Sequence, residues 1–308
     1  MTRQIFITGG TGFFGKSLLA AWRDQPRPEC ELTILSRNPE RFLLKFPEFS
    51  TLPHVRFLKG DVRNFTFPAE PFDEVIHAAT PASATLEQEN PEEMYSIIVD
   101  GTRHVIDFCR KSGVKRMLFT SSGAVYGPQE PEYERLAETH PCRPVTAYGK
   151  GKLAAEQLCL ESGIPTVIAR CFAFIGPYLP LDIHFAAGNF LRDALENRPI
   201  IIRGDGRPLR SYLHSDDLVR FLWKLLETGV PGSICNVGGD RAVSIAELAT
   251  LCAKLRTPAL PVTILGISGD GPPPRYVPDL TRAKREFGLI PQIDLETALR
   301  RTFDFHRK

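Results

Sequence analysis

Gln4-Ile5-Phe6-Ile7-Thr8-Gly9-Gly10-Thr11-Gly12-Phe13-Phe14-Gly15 decides the fold. Gln4–Thr8 reads as a buried strand, and a helix is predicted from about Phe13 to Trp22. Between them, Gly9, Gly12 and Gly15 have GxxGxxG spacing. Glycine permits a tight turn and close approach of a pyrophosphate to the backbone. The helix that follows offers free N–H groups and a partial positive charge. An isolated glycine triplet is weak evidence, but one placed between a strand and a helix is specific. The segment 9–15, with Phe13 and Phe14, is therefore expected to hold a dinucleotide.

Outward from this loop, strands are predicted at Leu32–Leu35, Val55–Leu58, Val75–Ala78, Met117–Thr120 and Pro165–Ala169, with helices at Met94–Lys111 and Tyr148–Glu161. Strands that are continuous apolar runs, alternating with helices, imply a parallel sheet covered on both faces. The expected fold is α/β: a Rossmann doubly wound parallel sheet over residues 1–170. Residues 171–308 would form a smaller substrate-binding α/β region that packs partly back on the first. In that second part, Asn189–Leu195, Ser215–Glu227 and Glu296–His306 read as helices, and Ile200–Ile202 and Ile234–Val237 as strands. Ser244 and Glu247 have capping-box spacing at the start of a helix running to about Lys254, and Gly269–Pro274 reads as a loop.

Composition narrows the function. A formal net charge of +2 offers no broad basic surface, which argues against nucleic acid as the partner. No apolar window approaches a membrane span, and the N-terminus lacks the pattern of a secretory signal. Seven scattered cysteines without a CxxC pair indicate neither a zinc site nor a disulfide framework. A cytoplasmic protein without a metal is expected.

Tyr148 and Lys152 form a YxxxK pattern that places both on one helix face. A neighbouring ammonium favours the phenolate, which suits Tyr148 to general acid/base work. Ser122, at the predicted C-terminal end of a parallel strand, faces the ligand crevice of such a sheet and is the candidate partner of the reacting oxygen. At the end of the second strand, Ser36-Arg37 replaces the acid that would read the ribose of NAD. NAD or NADP is expected, and Arg37 favours NADP.

These motifs together resemble the extended short-chain dehydrogenase/reductase family, in its NAD-dependent epimerase/dehydratase group. The resemblance covers nearly the whole chain: Gly9–Gly15, Gly60-Asp61-Val62, His77-Ala78-Ala79, Ser121–Gly127, Tyr148–Lys152, Gly176-Pro177, Arg210–His214 with Asp216-Asp217, and Asn236–Gly239. It implies that Asp61, beside Val62, binds adenine and that Ala78, Ala79 and Thr80 line the cofactor. Ser122, Tyr148 and Lys152 become a catalytic triad, with Tyr148 exchanging a proton with a sugar hydroxyl. The segment from Ala79 through Ala82 to Ser83 would face the sugar. Asn189 and Phe190 match a nucleotide-contacting loop, and Arg210 and Arg275 match diphosphate-binding arginines. The implied substrate is a nucleotide-diphosphate sugar, and the helices near 94–111 and 148–161 would form a homodimer interface.

Two departures from the family pattern shape the expected reaction. Its 4,6-dehydratases carry Asp-Glu directly after the catalytic hydroxyl, and its UDP-glucuronate decarboxylases keep a Glu there. This chain has Gly123 and Ala124. Ile98 and Ala173 also stand where the family often has Asn. The expected function is an NDP-sugar 4-epimerase, with an NADPH-dependent reductase of 4-keto-6-deoxysugars as the alternative. A non-catalytic NAD(P)-sensing regulator is a third reading, and retention of the Tyr-Lys pair argues against it.

Overall fold

The computed structural model describes residues 2–81, 83–181 and 185–307. The predicted alternation is realised as β1 (Arg3–Thr8), α1 (Phe13–Asp24), β2 (Cys30–Ser36), α2 (Pro39–Lys45), β3 (Val55–Lys59), β4 (Glu74–His77), α3 (Ala84–Glu89), α4 (Pro91–Ser112), β5 (Arg116–Ser122), α5 (Ala147–Glu161) and β6 (Thr166–Cys171). There follow β7 (Phe174–Ile175), α6 (Ala186–Leu195), β8 (Ile200–Ile202), β9 (Leu209–Arg210), β10 (Leu213–His214), α7 (Ser215–Thr228) and β11 (Ile234–Val237). The chain ends with β12 (Val243–Ser244), α8 (Ile245–Ala253), β13 (Val262–Ile264), β14 (Arg275–Tyr276), α9 (Thr281–Phe287) and α10 (Leu295–Arg307).

A seven-stranded sheet has the order β11-β6-β5-β4-β1-β2-β3. The pairs β1–β2, β1–β4, β2–β3 and β4–β5 are parallel, the arrangement of a doubly wound Rossmann sheet. The strand order reverses between β1 and β4, and a ligand crevice forms at such a switch point, beyond the carboxyl ends of the strands. The chain divides into two compact units. The first comprises Met1–Val125, Pro144–Arg170 and Val219–Cys235; the second comprises Tyr126–Arg143, Cys171–Leu218 and Asn236–Lys308.

The core of the first unit explains why the strands read as apolar runs. Phe6 on β1 packs against Phe65, Phe72 and Phe108, with ring centroids 5.3, 5.3 and 4.6 Å apart. Each such pair contributes about 0.5–1.5 kcal/mol beyond its area burial. Since Phe108 belongs to α4, the cluster fastens that helix to the sheet.

Several boundaries differ from the sequence reading, and capping accounts for them. α4 begins three residues before Met94, because Asn90 accepts a hydrogen bond from Glu93 N and Pro91 occupies the first helical position. α3 is too short to show a hydrophobic period; its start is marked by Ser83, whose Oγ accepts from Leu86 N at 3.1 Å. The Ser244–Glu247 capping box is present at α8.

Candidate active site

Gly9 follows β1 with φ +72°, a conformation that disfavours any side chain, and an added Cβ would lie 2.5 Å from the carbonyl of Ala78. The ends of β1 and β4 therefore touch at the switch point. Thr8 ties them further: its Oγ1 accepts from both Ala78 N and Ala79 N at 3.1 Å. Its own hydrogen then goes to His77 Nδ1, 2.7 Å away. With Nδ1 accepting, Nε2 carries the ring proton and donates to Thr102 Oγ1 at 3.0 Å, and that hydroxyl donates to Ile98 O. Burial, reinforced by the charge of Lys152, pushes the His77 pKa down to about 3 and keeps the ring neutral.

Within the glycine loop the three spaced glycines do different things. At Gly15 an added Cβ would fall 2.1 Å from the Gly10 backbone, so helix and turn require its absence. At Gly12, whose backbone is ordinary and extended, the nearest atom would be Gly9 O at 3.4 Å. That is ordinary contact distance, so steric crowding by protein atoms does not account for this glycine. Gly12 is also the N-cap of α1, with no side-chain cap and no acid in the first turn. A helix N-terminus without a side-chain cap or an acid suits the pyrophosphate of a dinucleotide.

At the end of β2, Ser36 is buried and Arg37 is exposed. Arg37 makes no hydrogen bond or ion pair with another described residue. Asp61 lies just past β3 next to Val62, and its Oδ1 accepts from Arg63 N at 3.0 Å and Arg63 Nε at 3.1 Å. Partial burial raises its pKa, but these bonds and the charges of Arg63 and Arg37 outweigh burial and hold it below the ordinary carboxylate range. Ala79, Thr80 and Ser83 are half-buried; Ala82 lies outside the described residues.

The candidate proton-transfer residues lie on β5 and α5, two elements that pack against each other. Lys152 is almost fully buried, and its Nζ donates to Thr120 O at 2.7 Å, with the Phe119 ring centroid 4.7 Å away. Tyr148 lies one turn earlier, half-buried, in the first turn of the helix. Ser122 ends β5, and its Oγ accepts from Ala124 N at 3.1 Å, leaving its own hydrogen to donate. One turn beyond Lys152, the carboxylate of Glu156 takes hydrogen bonds from Ser121 and from two nitrogens of Arg170, at 3.0 and 2.8 Å for the latter. Sequence reasoning passed over this pair, although Glu156 continues the four-residue spacing of Tyr148 and Lys152.

The residues expected to hold the nucleotide and diphosphate of the substrate belong to the second unit. Arg210 on β9 and Arg275 on β14 sit on neighbouring parallel strands, where Arg275 pairs with Leu209 and Tyr276 with Arg210. The Arg210 guanidinium lies 5.9 Å from the Tyr276 ring centroid. Asn189 is half-buried on α6, whereas Phe190 next to it is interior at 5% exposure. Residues 182–184, shortly before α6, lie outside the described residues.

Residues 5–238 match the profile of the NAD dependent epimerase/dehydratase family. The chain belongs to that family. Among its members, UDP-glucuronic acid decarboxylase 1 of Xenopus tropicalis is 28% identical, over 99% of this chain and 72% of that protein. MoeE5, solved in complex with UDP-glucose and NAD, is 26% identical with a TM-score of 0.82, over 99% of this chain and 98% of the other. A variant of UDP-glucuronic acid 4-epimerase from Bacillus cereus, solved with a fluorinated UDP-sugar and NAD, has a TM-score of 0.86 at 22% identity, over 98% of each chain. None of the described helices is long and apolar enough to cross a membrane.

Proposed function

We propose that this protein is an NAD(P)-dependent nucleotide-sugar oxidoreductase, an NDP-sugar 4-epimerase in which Ser122, Tyr148 and Lys152 carry proton transfer. The observation that supports this most directly is the buried Lys152 ammonium bonded to Thr120 O, one helical turn from Tyr148 and beside the strand that ends in Ser122. A nearby cation stabilises the phenolate, so Tyr148 takes the proton of a sugar hydroxyl at lower cost. Ser122 donates its free hydrogen to the same oxygen and orients it. The dinucleotide, when bound by Gly9–Gly15, Ser36, Arg37, Asp61 and Ala78–Thr80, supplies the hydride chemistry. Asn189, Phe190, Arg210 and Arg275 are proposed to serve the nucleotide and diphosphate of the substrate, and Ser83 the sugar.

The two residues after Ser122 carry no carboxylate. That supports chemistry needing only the Ser-Tyr-Lys set, despite the decarboxylase names among the relatives. A second reading rests on Arg37: an exposed guanidinium and no acid at the end of β2 suit a 2′-phosphate. NADPH-dependent reduction of a 4-keto sugar would then be the reaction. A homodimer through the outer faces of α4 and α5 accompanies either reading and is checked by light scattering.

Identifying the nucleotide released on denaturation separates the two. Stoichiometric NAD, with reversible interconversion of C4 epimers in a panel of UDP- and dTDP-sugars, supports the epimerase. Protein that arrives empty, prefers NADPH and consumes it with a 4-keto sugar supports the reductase. Release of carbon dioxide from UDP-glucuronate, or loss of water from dTDP-glucose, would overturn both.

A further inference from the structure

The first turn of α5, which carries Tyr148, is held from outside its own helix. Beyond the N-cap, the N–H groups without an intrahelical partner are those of Ala147, Tyr148 and Gly149. Thr146 Oγ1 accepts from Gly149 N at 3.0 Å, as an N-cap does. The other two donate to one carboxylate that is distant in sequence: Ala147 N to Glu87 Oε1 at 2.7 Å and Tyr148 N to Glu87 Oε2 at 2.9 Å. Glu87 belongs to α3, and α5 has no acid of its own in this turn. Two oxygens gripping two successive backbone donors fix both the position and the rotation of the turn.

We propose that Glu87 is a positioning residue for Tyr148, fixing the first turn of α5 and setting, against Lys152, the proton affinity of the phenol. This rests on the reading of Tyr148 as the acid/base. The helix N-terminus and Lys152 both favour the phenolate, and an anion at the backbone of Tyr148 opposes them. Other ionisable groups around the junction are Lys150 on α5, Glu92 and Tyr95 at the start of α4, which share an open groove with Glu87, and Glu89 on α3. The end of β5 contributes the hydroxyls of Ser121 and Ser122 and no charge. Glu87 bonds the Tyr148 backbone directly.

The test titrates the phenol directly. The full-length protein, labelled with tyrosine carrying carbon-13 at Cζ, is followed by NMR against pH, with the Tyr148 signal assigned by its absence in Tyr148→Phe. Glu87→Gln keeps the shape and removes the charge. It is expected to lower the Tyr148 phenol pKa by roughly half a pH unit to one and to move the pH–rate profile the same way, with kcat changing more than KM. Glu87→Asp retains the charge and should leave the titration near wild type even if its shorter arm costs stability. An unmoved phenol in a folded Glu87→Gln, with only a lower melting temperature, would reduce Glu87 to a plain helix cap and overturn the proposal. Full turnover by Tyr148→Phe would instead sink the catalytic reading; the two failures are distinct because the titration does not depend on turnover.

Discussion

The β5–α5 junction of the first unit and the three-stranded sheet β12-β9-β14 of the second hold their charged residues in opposite ways. At the junction, Lys152, Glu156 and Arg170 are each under 5% exposed, and each is hydrogen-bonded to a named partner. In the small sheet, Arg210 and Arg275 are half-exposed on strands of two residues. The Arg275 side chain makes no hydrogen bond or ion pair with another described residue. A buried charge is committed to the fold, because losing its partner strands the other charge. A half-exposed arginine can lose its partners at little cost to the fold, as the proposed ligand role requires. The contrast predicts which residues stability depends on.

The largest stability effect is expected at Glu156. Glu156→Gln removes the counter-charge of buried Arg170, and breaking one side of a buried pair costs about 3–5 kcal/mol. Urea unfolding measures it. Pairing the change with Arg170→Met should recover part of the loss, since no buried charge then remains. A loss below about 1 kcal/mol in the single variant would mean that water reaches Arg170, and the contrast between the two regions would fail.

Legibility in the sequence follows the same division. The strands of the first unit bury both faces, so β1, β2 and β5 read as runs of apolar and β-branched residues. The glycine loop and YxxxK spacing then located the candidate site. The strands β7, β9, β10, β12 and β14 are two residues long, too short for any period, and they form through pairing that the sequence does not announce. Glu87 was invisible for a related reason. Its role comes from a contact with α5 sixty residues away in sequence, and α3 has no apolar stripe. Asn38-Pro39 and Asn90-Pro91 were legible cap signals for α2 and α4 that the hydrophobic period alone overlooked.

Next in size come the glycines. Gly15→Ala forces a Cβ to within 2.1 Å of the Gly10 backbone and should cost roughly 2–3 kcal/mol. Gly12→Ala meets nothing closer than 3.4 Å and should change stability by less than about 1 kcal/mol, while weakening dinucleotide binding. Thermal melts and fluorescence titration with NADH and NADPH separate the two. Equal destabilisation would remove the inference that Gly12 serves a ligand rather than the packing.

A smaller effect depends on pH. The His77 pKa is depressed to about 3 in the fold, against about 6.5 when unfolded. Between those values the unfolded chain binds the extra proton, so stability is present near neutrality and is lost as pH falls. From pH 7 to pH 5 the loss is about 2 kcal/mol. Burial also lowers the pKa of His214, with Asp216 opposing it, so the comparison must be made by variant. His77→Asn should flatten the acid slope by that amount; an unchanged slope would show that the Thr8–His77–Thr102 chain opens before the fold does.

The smallest stability effect is expected where the proposed ligand role is most exposed. Arg275→Gln should shift the unfolding free energy by no more than about 0.5 kcal/mol, as surface changes usually do. Arg210→Gln should cost only slightly more, since it gives up the bond from Nη1 to Leu209 O and the contact with Tyr276. Both should nonetheless weaken UDP binding roughly tenfold, because a charge-assisted bond to phosphate is worth about 1.5–3 kcal/mol. Calorimetric titration with UDP measures this independently of turnover. If UDP affinity is unchanged while stability falls, these arginines serve the small sheet itself, and the diphosphate must be held by other residues.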